Sequence, residues 1–525
     1  MYGKVIGCCI AGVEGRPVEV EADISSGLPA FHIVGLPDSS IRESMERVRA
    51  AIKNCGFDFP LRRITVNLAP ADLKKEGSAF DLAIAVGILT ASGQVRLDEA
   101  ERVMICGELA LDGQVKSVPG VLAMAHCARQ RGFAAIIVPA ANVREARLVS
   151  GIRVVPIAHL ADLAAKKPGE VNLINDLSAQ SPAETGTEPP TADAEQAPAP
   201  VEDYADVRGQ LHAKRALMIA AAGGHNILLV GPPGTGKTML LRRLPGILPP
   251  LDEEEAMEVT KIYSIANLLH GRSGLVRERP FRAPHHTISQ VGLTGGGSVP
   301  RPGELSLAHR GVLFLDELPE YPRHVLEALR QPLEDKRVTI SRARATYTYP
   351  CDFLLAGTMN PCPCGYYGAE DEQHTCRCHP HKIRQYRSRI SGPLADRIDL
   401  QVEVPRIDHA SLSASAPALG SAEMRERVLA ARARQAERYR GAPFRLNSQL
   451  HGRWLERFCP LEPDARRLIA HSFEALGLSV RAYGKVLKVA RTIADLEQAE
   501  RIAVEQLAEA LQYRRLDLLN GEIGA

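Results

Sequence analysis

The segment GPPGTGKT, residues 231–238, combines residue types that bind the phosphates of a nucleotide. Its glycines let backbone N–H groups turn towards phosphate oxygens, the Lys237 ammonium can reach the β- and γ-phosphates, and the Thr238 hydroxyl can ligate magnesium. The apolar run NILLV precedes the segment and a helix-forming stretch follows it, which is the setting that this chemistry requires. The sequence therefore predicts a site for ATP and Mg²⁺. The predicted binding residues are Gly231, Pro232, Pro233, Gly234, Thr235, Gly236, Lys237, Thr238 and Asp316.

Two further segments end in polar side chains that suit hydrolysis of the nucleotide. In GVLFLDEL (311–318), a buried strand is predicted to deliver Asp316 to the water shell of magnesium and Glu317 to the attacking water. In DFLLAGTMNP, a second buried strand ends at Asn360, whose amide can sense the γ-phosphate. Because the strands of one sheet present their ends at a common edge, we expect these side chains to lie beside Lys237. The pattern predicts an ATPase with Glu317 and Asn360 as catalytic residues.

Composition sets limits on the function. A chain of 525 residues is too long for one hydrophobic core, so two or three domains are expected. The net charge of +2 gives no overall field for nucleic acid, so any such contact must rest on local patches. No apolar run approaches the roughly 18 residues needed to span a membrane. VIGCCIAGV near the start is predicted to be a strand and not a signal peptide. Eleven cysteines, an odd number, favour reduced thiols in the cytoplasm.

The chain divides at a segment that lacks Lys and Arg between Lys167 and Arg208. The segment is rich in Pro, Ala, Thr and acidic residues. Such a segment cannot bury enough apolar surface to offset the entropy lost on folding, so a flexible linker is predicted at 171–204. Strand and helix patterns alternate before it and again from Asn226, whereas the last part is helical by period and includes an Arg-rich helix starting at Ser421. The sequence thus predicts an α/β fold with three domains. These are an α/β domain at 1–170, a P-loop ATPase core at 205–408 and a helical domain at 409–525.

The order of these motifs resembles that of AAA+ ATPases, which gives roles to three arginines. Such motors act as rings, in which an arginine of one subunit stabilises transition-state charge in the neighbour's site. Arg397 in SGPLADRIDL matches the position of that finger. Arg481 in LSVRAYGKVLKVARTIADL matches the sensor 2 arginine, with Arg491 as a second candidate. Apart from the resemblance, each arginine could equally form a surface ion pair.

Several longer stretches are more specific than the AAA+ motifs. They are RGQLHAKRALMIAAAGGHNILLVGPPGTGKTML, RPFRAPHHTIS, LRQPLEDKRVTISRA, NPCPCGYYG and RTIADL. Together they resemble the YifB/ComM family of magnesium-chelatase-like AAA+ ATPases, over almost the whole chain apart from the linker. The resemblance implies a Lon-protease-like N-terminal domain, a core similar to the motor subunit of magnesium chelatase, and a helical lid. It also implies a homo-hexameric helicase that acts on single-stranded and branched DNA and drives branch migration during natural transformation, with no membrane or porphyrin partner.

Two other functions stay open at this stage. A chelatase-type subunit would remodel a protein partner and insert magnesium into a porphyrin; the Lon-like domain argues against it, because the chelatase motor is expected to lack one. A Lon-type peptidase needs a serine and a lysine base. GSAFDLA supplies Ser78, but by resemblance to Lon-like chains the base position is Leu122, and Lys116 falls on the preceding strand. We therefore expect no peptidase activity, and interpret Ser78 and Asp81 as an S-x-x-D helix cap.

Three insertions suit contact with DNA. LEDKRVTISRARATYTYP predicts a hairpin whose turn carries residues 335–337, and in related motors such a hairpin points into the pore. Glycines 295–297 predict a second, mobile loop, with His285 and His286 at its base. The stretch 377–389 holds five Lys and Arg residues and no acid, which predicts a patch that contacts phosphates. On ATPase rings such residues also contact nucleotide or neighbouring subunits.

Four cysteines are spaced as C-x-C, eleven residues, then C-x-C. They are Cys362, Cys364, Cys376 and Cys378. Zinc takes four soft ligands in a tetrahedron, which thiolates from two short loops can supply. The usual spacing is C-x₂-C, so C-x-C is a tighter chelate, and a histidine of the same stretch could replace a thiol. A reducing cytoplasm disfavours a disulfide. The sequence predicts a structural Zn²⁺ site on the four cysteines that holds the basic stretch behind it.

Overall fold

The computed structural model describes residues 1–97, 100–164, 202–269, 274–297, 300–342, 345–369, 375–406, 419–475 and 478–514. Nearly all of the linker predicted at 171–204 lies outside these residues, so its flexibility stays a prediction.

The strands of the described residues are as follows. They are β1 (Tyr2–Ala11), β2 (Glu14–Ser25), β3 (Ala30–Val34), β4 (Arg63–Ala69), β5 (Val103–Ile105), β6 (Glu108–Leu109), β7 (Val115–Lys116), β8 (Ala135–Pro139), β9 (Arg153–Ile157), β10 (Ile227–Val230), β11 (Phe281–Arg282), β12 (Gly295–Gly296), β13 (Arg301–Pro302), β14 (Val312–Leu315), β15 (Arg337–Arg342), β16 (Ala345–Pro350), β17 (Leu354–Met359) and β18 (Leu400–Glu403).

The α-helices of the described residues are as follows. They are α1 (Ser39–Asn54), α2 (Asp81–Ala91), α3 (Val121–Gln130), α4 (Val143–Ala146), α5 (Leu211–Gly223), α6 (Lys237–Arg242), α7 (Leu244–Ile247), α8 (Glu253–Ile265), α9 (Gln290–Thr294), α10 (Glu304–Leu307), α11 (Arg323–Glu327), α12 (Arg330–Asp335), α13 (Pro380–Arg387), α14 (Gly392–Ala395), α15 (Ser421–Arg438), α16 (Arg453–Phe458), α17 (Pro463–Ala475), α18 (Val480–Leu496) and α19 (Val504–Gln512).

The N-terminal domain is built on a seven-stranded mixed sheet with the order β3-β4-β2-β1-β5-β8-β9. β1 and β2 form a long antiparallel hairpin, whereas β5, β8 and β9 run parallel. VIGCCIAGV begins within β1, which confirms the predicted strand. VMICGELAL, residues 103–111, has the composition of one strand but forms two, β5 and β6, separated by Cys106 and by Gly107, whose N–H donates to the Ala79 carbonyl oxygen.

Helix α2 crosses the interior of this domain, and all but one of its residues are buried. The apolar sequence LAIAVGIL has no polar face, so the helix must be covered on both sides, and it packs against α1, β1 and β2. The cap predicted from Ser78 and Asp81 is wrong, because the N-cap residue is Phe80 and no side chain caps this end. Asp81 is buried and accepts a hydrogen bond of 2.7 Å from Arg47 Nε, while the Ser78 hydroxyl donates to Glu108.

The second sheet has five parallel strands in the order β11-β14-β17-β10-β18. β10 is wholly buried and pairs with β17 on one side and β18 on the other, so that Ile227 lies opposite Ala356 and Leu400. In open parallel sheets, ligands bind beyond the carboxyl ends of the strands where the strand order reverses. The loop that follows β10 lies at such a point.

The C-terminal helices pack directly on the second sheet's domain. Tyr204 donates its backbone N–H to Ser421 Oγ over 2.8 Å at the start of α15. Further along α15, Arg432 and Gln435 donate to the carbonyl oxygens of Ala221 and Ala222, near the C-terminal end of α5. One apolar cluster runs without a break from α5 and β10 into α15 and α18. The ATPase core and the helical domain therefore share a hydrophobic core.

The predicted hairpin forms, but its turn is elsewhere. β15 pairs with β16 from Arg337↔Pro350 to Arg342↔Ala345, and the residues between the two strands, 343–344, lie outside the described residues. Residues 335–337 lie at the base of the hairpin. There α12 ends and Lys336 adopts a left-handed conformation with φ of 56° as the C-cap residue. The error arose because the short helix α12 was taken for part of the first strand.

The N-terminal domain contacts the ATPase core through α3 and α8. His126 Nδ1 lies 3.1 Å from the Lys261 ammonium, and Lys261 also lies 3.7 Å from Glu14. Glu145 accepts a hydrogen bond from the Ser264 hydroxyl. These polar contacts tie the two domains together independently of the linker.

A second contact joins the N-terminal domain to the β15–β16 hairpin. The turn between β1 and β2 lies so close to β16 that a Cβ atom at Gly12 would be 2.6 Å from the Thr348 carbonyl oxygen. Burial and the Glu76 carboxylate, which is hydrogen-bonded to the hydroxyl, both raise the pKa of Tyr347. The segment around Ser78 and the hairpin therefore lie side by side.

Candidate nucleotide site and cysteine cluster

The loop after β10 and the first residue of α6 place Lys237 at the centre of the candidate site. Gly234 and Gly236 have φ of 78° and 82°, a left-handed conformation that glycine adopts without strain. The Lys237 ammonium is buried and donates to the carbonyl oxygens of Gly231 and Pro232, each over 2.7 Å. Burial lowers the pKa of Lys237, while the carboxylates of Asp316 and Glu317 oppose that shift.

Asp316 and Glu317 follow β14, which is separated from β10 by one strand, β17. Thr238 Oγ1 lies 3.1 Å from an Asp316 carboxylate oxygen, so the two predicted magnesium-site residues meet. Glu317 has a left-handed backbone with φ of 51°, and its side chain is exposed. The predicted pairing of a hydroxyl and a carboxylate beside the loop is therefore present.

Sequence reasoning missed Thr358, which lies inside β17, two residues before Asn360. Its hydroxyl donates to Asp316 and accepts the Glu317 backbone N–H over 2.9 Å. A hydroxyl within an otherwise apolar buried strand was the available signal. Thr358 thus fixes the Asp316 carboxylate and the turn that carries Glu317.

Asn360 follows β17 directly and lies beside the loop, with its Oδ1 3.3 Å from the Lys237 ammonium. The structure therefore brings Lys237, Thr238, Asp316 and Asn360 to the carboxyl ends of three neighbouring strands, as the sequence predicted. These groups suit an Mg²⁺–nucleotide complex: an ammonium for phosphate oxygens, a hydroxyl and a carboxylate for the ion, and an amide for the terminal phosphate. Their catalytic roles stay predictions.

Arg397 lies at the amino ends of the strands of the same sheet, opposite the carboxyl ends that carry Lys237. Its carbonyl oxygen accepts a hydrogen bond of 2.8 Å from Asn226 Nδ2, and Asn226 immediately precedes β10. Its guanidinium pairs with Glu334 and donates to the Arg330 carbonyl oxygen over 3.1 Å. The four residues of β10 span about 13 Å, so the structure does not bring Arg397 to the Lys237 site of its own chain.

The two sensor 2 candidates have different surroundings. Arg491 is 1% exposed and donates to the carbonyl oxygens of Ala499 and Glu500 within the helical domain. It also pairs with Asp495 over 3.1 Å. Arg481 is exposed in the first turn of α18, and no hydrogen bond or ion pair of its side chain occurs among the described residues. The structure places neither of them in contact with Lys237.

The four predicted zinc ligands come together. The ligand atoms of Cys362, Cys364, Cys376 and Cys378 all lie within 4.8 Å of one another. The three Sγ–Sγ separations among the first three cysteines are 3.3, 3.8 and 3.6 Å. Sulfurs at about 2.3 Å from a tetrahedral zinc ion are about 3.8 Å apart, whereas a disulfide measures about 2.05 Å. The donor set therefore fits a zinc ion and not a pair of disulfides.

The basic stretch 377–389 is only partly free. Arg387 donates to the Pro361 carbonyl oxygen over 3.0 Å, and Arg389 pairs with Glu320 over 3.1 Å. Arg377, Lys382 and Arg384 are exposed, and their side chains form no ion pair with another described residue. Three of the five cations are thus presented to solvent on or beside α13.

The peptidase-like segment lacks the geometry of a serine–lysine pair. The Ser78 hydroxyl is bonded to a carboxylate, that of Glu108. The expected base position, Leu122, is fully buried, and its backbone N–H donates to Glu145 over 2.9 Å. A carboxylate next to the hydroxyl cannot replace the desolvated amine of that mechanism. The prediction that this domain is inactive as a peptidase still awaits an assay.

Comparison with known proteins gives three matches to family models. The model described as "Magnesium chelatase, subunit ChlI" matches residues 203–412, and that of its C-terminal part matches residues 418–514. A third, "Subunit ChlI of Mg-chelatase", matches residues 20–142. Residues 203–412 thus form a ChlI-type AAA+ ATPase domain. The third match weakens the sequence argument against a chelatase role, since a model described as a chelatase subunit also covers part of the N-terminal domain.

Full-length relatives decide the family. Competence protein ComM of Haemophilus influenzae is 44% identical over 507 residues, which is 96% of this chain and 96% of that protein. The Escherichia coli protein YifB is 43% identical over 509 residues, or 97% of this chain and 96% of its own. The chain belongs to the YifB/ComM family. The magnesium-chelatase 38 kDa subunit of Cereibacter sphaeroides is 25% identical over 174 residues, only 30% of this YifB/ComM chain and 52% of that subunit.

Within the described part of the chain, none of the helices combines the length and the apolar character needed to cross a membrane.

Proposed function

We propose that this protein is an ATP-dependent, ring-forming DNA motor, a hexameric helicase that drives branch migration and thereby promotes integration of transforming DNA. The observation that carries the proposal is the 44% identity with competence protein ComM over 96% of both chains. The three-strand cluster around Lys237 supports the ATPase part. Magnesium held by Thr238 and Asp316 would neutralise phosphate charge, while Glu317 orients the attacking water and Asn360 contacts the terminal phosphate.

The placement of Arg397 supports a ring. Because it lies at the far edge of the sheet from Lys237, it can act as a finger only on the nucleotide of an adjacent subunit. Arg481, exposed at the start of α18, is the proposed sensor 2 residue. The exposed cations of the stretch 377–389 and the β15–β16 hairpin are the proposed DNA contacts, since unpaired Lys and Arg side chains suit phosphates.

The proposed cofactors are ATP, Mg²⁺ and a structural Zn²⁺ on the four cysteines. Zinc bound by the four thiolates would fix the two loops that carry the cysteines, as it does in structural zinc sites of other proteins. A cytoplasmic location belongs to the proposal, supported by eleven free cysteines. The alternative is a chelatase-type remodelling subunit, which the descriptions of the family models favour. The match to the magnesium-chelatase 38 kDa subunit, however, covers only 30% of this chain.

A Holliday-junction and three-strand exchange assay with the purified protein tests the function. We expect ATP-dependent junction movement and ATP turnover that branched or single-stranded DNA stimulates. Glu317→Gln is the matched control, because it removes water activation and keeps the phosphate contacts. ATP turnover that DNA leaves unchanged, with no junction movement, would contradict the proposal and favour the chelatase-type alternative.

A further inference from the structure

The four-cysteine cluster is attached to the candidate nucleotide site by its own first loop. Only one residue separates Asn360 from Cys362, so the proposed sensor and the first thiol belong to one short segment. Gly365, with φ of 90°, closes a turn by donating its N–H to the Cys362 carbonyl oxygen over 3.0 Å. The Tyr367 N–H points at Cys362 Sγ over 3.4 Å. The loop therefore wraps around a sulfur, as a metal-binding turn does.

The same turn rests on the phosphate-binding loop. A Cβ atom at the buried Gly365 would lie 2.6 Å from Pro233 Cδ and 3.2 Å from its Cγ. The absence of a side chain at residue 365 is thus what allows the cysteine loop to reach Pro233. Because Pro233 is within the segment 231–238, a shift of the cysteine loop displaces this segment.

A second support comes from α13. Arg387 donates to the Pro361 carbonyl oxygen over 3.0 Å, and its guanidinium lies 5.3 Å from the ring centroid of Tyr367. Tyr386, on the same helix, is buried, which raises the pKa of its hydroxyl to about 12. The segment from Asn360 to Tyr367 is therefore held between α13 and the phosphate-binding loop.

We propose that the metal-loaded cysteine cluster is the brace that positions Pro233 and Asn360, so that metal occupancy sets the affinity for nucleotide. The inference rests on the nucleotide site of the proposed function but not on any action on DNA. Without an ion, the four thiols have no covalent or coordinate bond that joins them. The turn around Cys362 then loses the constraint that presses Gly365 against Pro233. Nucleotide affinity should then fall while the fold of the remaining domain persists.

Two glycine variants test the contact itself. Gly365→Ala adds a Cβ against Pro233, whereas the control Gly368→Ala places a Cβ in open space at a similar φ of 74°. Both carry the strain of a left-handed alanine, so that strain cancels from the comparison. We expect both variants to retain one zinc per chain by metal analysis. A fluorescent ADP analogue, titrated without DNA, should bind Gly365→Ala about tenfold or more weakly than Gly368→Ala.

Two cysteine variants test occupancy. Cys378→Ala should lose zinc and bind the ADP analogue about tenfold more weakly, whereas Cys378→His, which keeps a zinc ligand, should retain both. Equal ADP affinity in the glycine pair, or unchanged affinity in a zinc-free chain, would overturn the inference. So would wild-type protein that binds ADP normally and holds no zinc. Failure of the DNA motor would appear only in the junction assay, because these titrations contain no DNA.

Discussion

Lys237 and Arg397 lie at opposite ends of one parallel sheet, joined through β10 and the Asn226 side chain. An arginine in this position cannot serve the phosphates of its own chain. In the proposed ring, it would serve an adjacent subunit once its ion pair with Glu334 opens.

We therefore expect Arg397→Ala to reduce ATP turnover about a thousandfold while nucleotide still binds its own subunit. Glu334→Gln is the control, because it frees the guanidinium without removing it. Mixing the Arg397→Ala and Glu317→Gln chains should restore part of the turnover, since an interface with its site from the Arg397→Ala chain and its arginine from the Glu317→Gln chain has both residues intact. Turnover by Arg397→Ala equal to that of the wild type would refute the assignment in trans.

Lys237→Ala and Glu317→Gln should separate binding from hydrolysis. The Lys237 ammonium is the buried cation of the loop, so its loss should weaken nucleotide binding by about 2–3 kcal/mol, or roughly a hundredfold. Among the described residues, no hydrogen bond or ion pair joins the Glu317 side chain to residues 231–238, so Glu317→Gln should bind ATP normally and hydrolyse it about 10²–10⁴-fold more slowly. Equilibrium titration and single-turnover hydrolysis measure the two effects. Equal binding defects in both variants would remove the distinction between the two roles.

The exposed cations beside the cysteine cluster should carry phosphate contacts. Lys382→Glu with Arg384→Glu should weaken single-stranded DNA binding and lower the salt slope of log K by about 1–2. Arg425→Glu with Arg440→Glu, at two exposed positions in and just after α15, changes the net charge equally and is the control. Fluorescence anisotropy across a salt series gives the slope. If the control lowers affinity as much as the double variant, the stretch 377–389 is not a specific contact.

Purified protein should not degrade casein, because Ser78 faces Glu108 and Leu122 occupies the base position. Ser78→Ala provides the control for any residual activity. A casein-degrading activity that co-purifies with the wild type and disappears in Ser78→Ala would show that this domain is a peptidase after all.

The contact between the domains should weaken in acid through His126. Burial, then the Lys261 ammonium, lower the pKa of His126 below its ordinary 6.5, with Arg129 acting the same way and Glu14 opposing. The separated state binds more protons, so docking is favoured above 6.5 and is lost as the pH falls through the lowered pKa. Hydrogen exchange in α3 and α8, corrected for intrinsic rates, should rise from about pH 8 to about pH 5. His126→Gln should remove this dependence; if it persists unchanged, another group is responsible.

Local sequence signals predicted which residues meet around Lys237, because these residues lie at the ends of apolar runs, where a strand must stop. They failed where the boundary of an element was ambiguous. Three charged residues, Asp335, Lys336 and Arg337, are typical of a turn between two strands, but here they join the short helix α12 to β15 at the base of the hairpin. Contacts made in three dimensions left little local signal. Thr358, which bonds to Asp316, was marked only by a hydroxyl in an apolar run, and no local pattern indicated that Gly365 packs against Pro233.

The packing of β16 against the turn at Gly12, together with the bond between Tyr347 and Glu76, bears on how far the β15–β16 hairpin would move in the proposed motor. A hairpin that travels with each nucleotide cycle must either carry the whole N-terminal sheet with it or release these contacts. In the first case the moving mass is a domain and not a loop. In the second, part of the free energy of each cycle is used to break these two contacts.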